Sequence, residues 1–103
     1  MNLRELLEAR ATELSNVTAT RAADGATTWA RGDRAFAVLS ANGTVSEFAL
    51  DGPVAAAAAR TPDVTPSARG AGWVVFRPAT LDDHAADRAR AWFDSGHRRL
   101  ARG

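Results

Sequence analysis

Three two-residue turn signals, Asp24-Gly25, Gly32-Asp33 and Asn42-Gly43, follow one another closely, each between short runs of strand-forming residues. Gly and Asp or Asn tolerate the positive φ of tight hairpin turns, so this stretch is expected to fold as an antiparallel meander. The predicted strands are 17–22, 27–31, 34–40 and 44–50.

If each loop is two residues long, the register follows by arithmetic. Val38 then opposes Glu47, Ala37 opposes Phe48, Ala41 opposes Thr44, and Trp29 opposes Phe36. One face collects Ala35, Ala37, Leu39, Phe48 and Leu50, which are expected to meet helices. The other collects Trp29, Phe36, Val38, Val45 and Ala49, broken only by Ser40, Glu47 and threonines. A single sheet with helices on one side normally has a polar outer face. A cross-strand aromatic pair contributes only about 0.2–1 kcal/mol, too little to hold two large rings against water. Trp29, Phe36, Val38 and Val45 are therefore expected to form a contact surface, covered by a helix, a second copy of the chain or a ligand.

Around the meander, Asn2 and Glu5 have the spacing of a capping box. Leu3, Leu6, Leu7, Ala11 and Leu14 follow as a helical stripe. Asp51, Gly52 and Pro53 open a short alanine helix that ends near Arg60. Residues 61–72 hold Pro62, Pro66, Gly70 and Gly72 and are expected to be a loop, with at most a brief extended piece at Val64-Thr65. Trp73-Val74-Val75-Phe76 is apolar on both sides, as a buried strand is. Thr80 is the expected cap of a last helix, whose stripe is Leu81, Ala85, Ala89, Trp92, Phe93, Gly96 and Leu100. The fold class is α+β, in the order α-β4-α-β-α, with an antiparallel sheet and helices mainly on one face. It forms one domain over 1–103.

The chain contains no Cys, so a disulfide-stapled scaffold is excluded. No run approaches the roughly 18 apolar residues of a membrane span, and the charged opening Met1-Asn2-Leu3-Arg4-Glu5 does not resemble a signal peptide; no membrane partner and a cytoplasmic location are expected. All 13 basic residues are Arg, yet the formal net charge is only +1, so charge alone does not force binding to nucleic acid.

Several motifs together carry a family resemblance. They are Asp63-Val64-Thr65-Pro66-Ser67, a short basic glycine-containing loop, the strand Gly72-Trp73-Val74-Val75-Phe76 and a closing helix from Leu81-Asp82-Asp83. Upstream stand Phe36-Ala37-Val38-Leu39, Phe48-Ala49-Leu50 and Pro53 at the start of a small helix. Over roughly residues 15 to 100 the chain resembles the C-terminal half and core of MmcQ/YjbR-like proteins. The strand and acidic helix start are also similar to the luciferase-like domain family, whose label implies no light-producing chemistry here. The MmcQ/YjbR resemblance implies an α+β domain and DNA as a partner. Where that family carries a longer histidine- and lysine-bearing loop, this chain has Ala68-Arg69-Gly70-Ala71-Gly72, so Arg69 alone keeps the positive character.

Arg69 is thus the leading phosphate-contact candidate, with Arg98, Arg99 and Arg102 as candidate groove-lining residues. Against the latter, Asp87/Arg90 and Asp94/Arg98 sit at helical pairing distances. His84 and His97 lack neighbours at ligand spacing, so neither a metal nor another cofactor is expected. Ser67 has no nucleophile-elbow context. Gly32 and Asp33 of Arg31-Gly32-Asp33 are explained by the turn, and Asp82 and Asp83 by the helix start. Three readings follow: a non-enzymatic nucleic-acid-binding module, a homodimer through the second apolar face, or a small-molecule binder using the 61–72 loop as a lid. The last is disfavoured because ionisable groups do not converge.

Overall fold

Asn2 starts α1 (Leu3–Glu13) with a complete capping box. Its side-chain oxygen accepts the Glu5 N–H at 2.8 Å, and the Glu5 carboxylate accepts the Asn2 N–H at 3.2 Å. The structure is a computed structural model that describes residues 2–101. After α1 come β1 (Val17–Arg21), β2 (Thr27–Arg31), β3 (Arg34–Leu39), β4 (Ser46–Ala49), α2 (Gly52–Ala58), β5 (Val64–Pro66), β6 (Trp73–Phe76) and α3 (Asp83–Ala101). All strand pairs are antiparallel, and the sheet order is β1-β2-β3-β4-β6-β5. The fold is α+β, with helices packed against the sheet.

One local expectation is met and extended, the brief extended piece at Val64-Thr65, and one needs correction. The 61–72 segment contributes a sixth strand, because β6 is central and its backbone groups need partners on both sides; β4 supplies one set and β5 the other. Pro66 is tolerated because β5 is an edge. Asp82, not Thr80, starts α3: its side chain accepts the Ala85 N–H at 2.8 Å, and its carbonyl accepts the Ala86 N–H at 2.9 Å.

The larger correction concerns the faces. Val38 opposes Glu47 and Ala37 opposes Phe48, as the arithmetic requires. Between β2 and β3, however, Trp29 pairs with Ala37 and Ala30 with Ala35, which leaves Phe36 as the extra residue of a β-bulge. Trp29 moves into phase with Ala37 on the helix-covered face, and Phe36 turns to the same side. Both are buried, at 1% and 0% exposure. The Phe93 ring of α3 meets each of them edge-on, at 5.5 Å from Trp29 and 5.0 Å from Phe36. Burying an aromatic side chain gains about 1.5–3 kcal/mol. A bulge costs about one ladder hydrogen bond, near 1 kcal/mol, so the bulged register wins.

Trp29 and Phe36 therefore lie beneath the chain's own helix rather than on a free surface. Val38 and Val45 stay in the outward phase with Glu47, Val38 buried and Val45 half-buried. The rest of the core follows the expected stripe. Trp92 packs edge-on against Phe76 at 5.1 Å, and Gly96 lets α3 approach so closely that an added Cβ would lie 3.0 Å from the Ala49 carbonyl and 3.2 Å from Phe36.

Candidate nucleic-acid interface

That close approach at Gly96 fixes where the last turns of α3 sit. They lie at the end of the sheet where β1 begins, β2 turns into β3, β4 finishes and β6 starts. Arg99 reaches to 4.0 Å from Asp51, just beyond β4. His97 is buried and ties three elements together: its Nε2 donates to the Ser15 carbonyl at 2.7 Å, and its Nδ1 faces Arg31 Nη1 at 3.3 Å. A guanidinium only donates and a carbonyl only accepts, so in this geometry Nδ1 is the acceptor and Nε2 the donor. The same Arg31 nitrogen donates to the His97 carbonyl at 3.1 Å.

The loop between β5 and β6 closes on the same end. Gly72, at φ +83°, accepts the Leu50 N–H at 2.8 Å. A Cβ there would stand 2.5 Å from the Leu50 carbonyl oxygen, so only glycine fits both the backbone and the space. Ser67 N–H donates to the Trp73 carbonyl at 3.1 Å, and Trp73 N–H donates to Gly70 at 3.2 Å.

Within this frame Arg69 has a defined place. Its Nε lies 3.0 Å from Glu47 Oε2, and its guanidinium carbon lies 5.7 Å from the centre of the Trp73 ring. The Ser67 hydroxyl donates to the other Glu47 oxygen at 2.5 Å and accepts the Arg69 N–H at 3.1 Å. Glu47, which interrupts the apolar outer face in the sequence, thus anchors the loop. The Arg69 side chain remains 47% exposed, with donors beyond the one engaged by Glu47.

Of the expected arginines, Arg98 is exposed, and Asp94 does not hold it as the helical spacing suggests. Asp94 instead takes a two-pronged contact from Arg10 of α1, Nε to Oδ1 at 2.7 Å and Nη2 to Oδ2 at 2.8 Å. These bonds first, and then the attraction of the Asp94 charge, hold the Arg10 guanidinium above its ordinary pKa. The Asp87–Arg90 pair forms as expected, at 2.6 Å. Arg102 lies outside the described residues.

Arg34, which opens β3 beside the Gly32-Asp33 turn, joins this end and is exposed. The signal for it is present only as topology, since its distance in sequence from Arg69 and Arg98 hides their shared location. Arg34, Arg69, Arg98 and Arg99 therefore share one end of the molecule with Asp33 and Asp51. The other end holds Asp24, Asp63, Asp82 and Asp83 together with Arg4, Arg21, Arg60 and Arg77. A rise of about 1.5 Å per residue puts roughly 25 Å between the start of α3 and Arg99.

No group of three or more His, Asp or Glu side chains able to hold a metal ion occurs among the described residues, and none of their helices is long and apolar enough to cross a membrane. No family model, curated protein or solved structure matches the chain.

Proposed function

We propose that this chain is a non-enzymatic nucleic-acid-binding domain of the MmcQ/YjbR-like type, with DNA as its first candidate ligand. The observation that carries the reading is the placing of Arg34, Arg69 and Arg98 on connections and a helix turn at one end of the sheet, with Arg34 and Arg98 exposed and Arg69 keeping donors beyond the one that Glu47 engages. Exposed guanidinium groups with unengaged donors offer contacts to phosphates. The exposed guanidinium of Arg69 beside the half-buried Trp73 adds a flat cationic and aromatic pair suited to a base or sugar-phosphate edge. Both ring nitrogens of His97 are engaged by Ser15 and Arg31, which supports a structural rather than a proton-transferring role.

Fluorescence anisotropy with labelled single- and double-stranded DNA across a salt series tests the proposal. Affinity is expected to fall steeply with salt. Replacing Arg98 or Arg34 with Ala should lower the slope of log K against log salt by about one for each phosphate that is no longer neutralised. Absence of binding to either DNA at low salt would overturn the reading.

A further inference from the structure

The two edges of the sheet are built differently. β5 is three residues long and ends in Pro66, a short edge of the kind that resists pairing. β1 is five residues, Val17-Thr18-Ala19-Thr20-Arg21, with no proline and no bulge in its pairing with β2. Its backbone phase follows from the hairpin: Ala22 N–H donates inward to the Ala26 carbonyl at 2.8 Å. By alternation, residues 20 and 18 also bond inward to β2, and Val17, Ala19 and Arg21 present N–H and C=O outward. Beside this edge, Glu8, Ala11 and Thr12 of α1 and Val17, Ala19 and Trp29 line a trough of about 380 Å³.

We propose that β1 pairs antiparallel with β1 of a second copy of this chain, about a two-fold axis at Ala19. The strand is self-complementary in that register. The outward-bonding residues coincide: Ala19 meets Ala19, and Val17 meets Arg21 of the second copy, so every outward N–H finds a carbonyl. On the outer face Thr18 stands opposite Thr20 of the second copy, a favourable cross-strand pair. On the inner face the small Ala19 residues leave room for the two α1 helices. Arg21 of the second copy arrives beside Val17, whose register partner on β2 is Arg31, along the trough that the Glu8 carboxylate lines at 4.0 Å from Arg4. The formal net charge of +1 opposes association little. Two five-residue edges bury an area at or below about 1,000 Å², the class of weak pairs, so the dimer is concentration-dependent.

Ala19 is exposed in the single chain, which allows a charge-swap test by sedimentation velocity over a concentration series. Wild-type protein is expected to associate as concentration rises. Ala19→Lys and Ala19→Glu, each placing like charges face to face at the axis, should weaken association at least about tenfold, and an equimolar mixture of the two should restore it. In wild-type protein the Ala19 and Arg21 amides should gain hydrogen-exchange protection with concentration, a readout that needs no variant. A wild-type chain that stays monomeric, with these amides exchanging freely, overturns the proposal. So does association unchanged in both variants, a mixture that does not recover, or an edge that takes up an unrelated extended peptide while the chain remains monomeric.

Discussion

Gly72 and Gly43 share a left-handed backbone, at φ +83° and +77°, but not a neighbourhood. An added Cβ at Gly43 meets open space, whereas at Gly72 it would lie 2.5 Å from the Leu50 carbonyl oxygen. Gly43→Ala is therefore expected to cost about 1–2 kcal/mol, the conformational penalty alone. Gly72→Ala should cost more than about 3 kcal/mol, because the Gly72–Leu50 contact that seats the β5–β6 loop must also shift. Urea denaturation of the two variants checks the ranking. The sequence discloses Gly25, Gly32 and Gly43 because each sits in a local turn dipeptide whose chemistry is complete within a few residues. Gly72 reads there only as part of a loop. Its constraint is a tertiary contact with a carbonyl 22 positions earlier, and no neighbouring residue encodes that.

Among the elements, α1 and α3 are joined by the two-pronged Arg10–Asp94 contact, across 84 positions of sequence. Exposed pairs are worth at most about 1 kcal/mol, and bidentate, partly shielded geometry places this one near the upper end of that range. A double-mutant cycle of Arg10→Ala and Asp94→Ala should give a coupling near 1 kcal/mol in thermal or urea unfolding. Arg10→Lys, which cannot keep both prongs, should lose part of it. The raised Arg10 pKa sets a sign: the folded state holds this proton more tightly than the unfolded chain, so the shift contributes fully below the ordinary guanidinium range and is lost only as pH rises through the folded value, in strong alkali. From neutral to moderately alkaline pH this group should add no slope to stability. The helical stripes of α1 and α3 are legible because their period is local. The bulge at Phe36 is not: ladder counting assumes one residue against one. Only the presence of Phe93 on α3 makes it favourable to insert an unpaired residue and turn both rings inward.

For the molecule as a whole, both ends carry arginines, so the test of the site is which of them a phosphate uses. Arg60 and Arg77 flank β5 and β6 at the end remote from Arg69 and Arg98. If the basic end is the phosphate-facing surface, Arg60→Ala and Arg77→Ala should leave the salt slope of DNA binding within about 0.3 of wild type, while Arg98→Ala lowers it by about one. Equal losses at both ends, measured by the same anisotropy titration, would mean that binding tracks overall charge instead. Arg69 and Arg98 are recognisable as candidates from residue type and loop context. Their shared location depends on the strand order and the seating of Gly96 against Ala49, which sequence spacing does not report. The unequal rims of the sheet carry one last consequence. With Pro66 on one rim, an assembly joined through the other consumes the longer free edge among the described residues in a single step, so growth is expected to end at two chains rather than continue into a fibre.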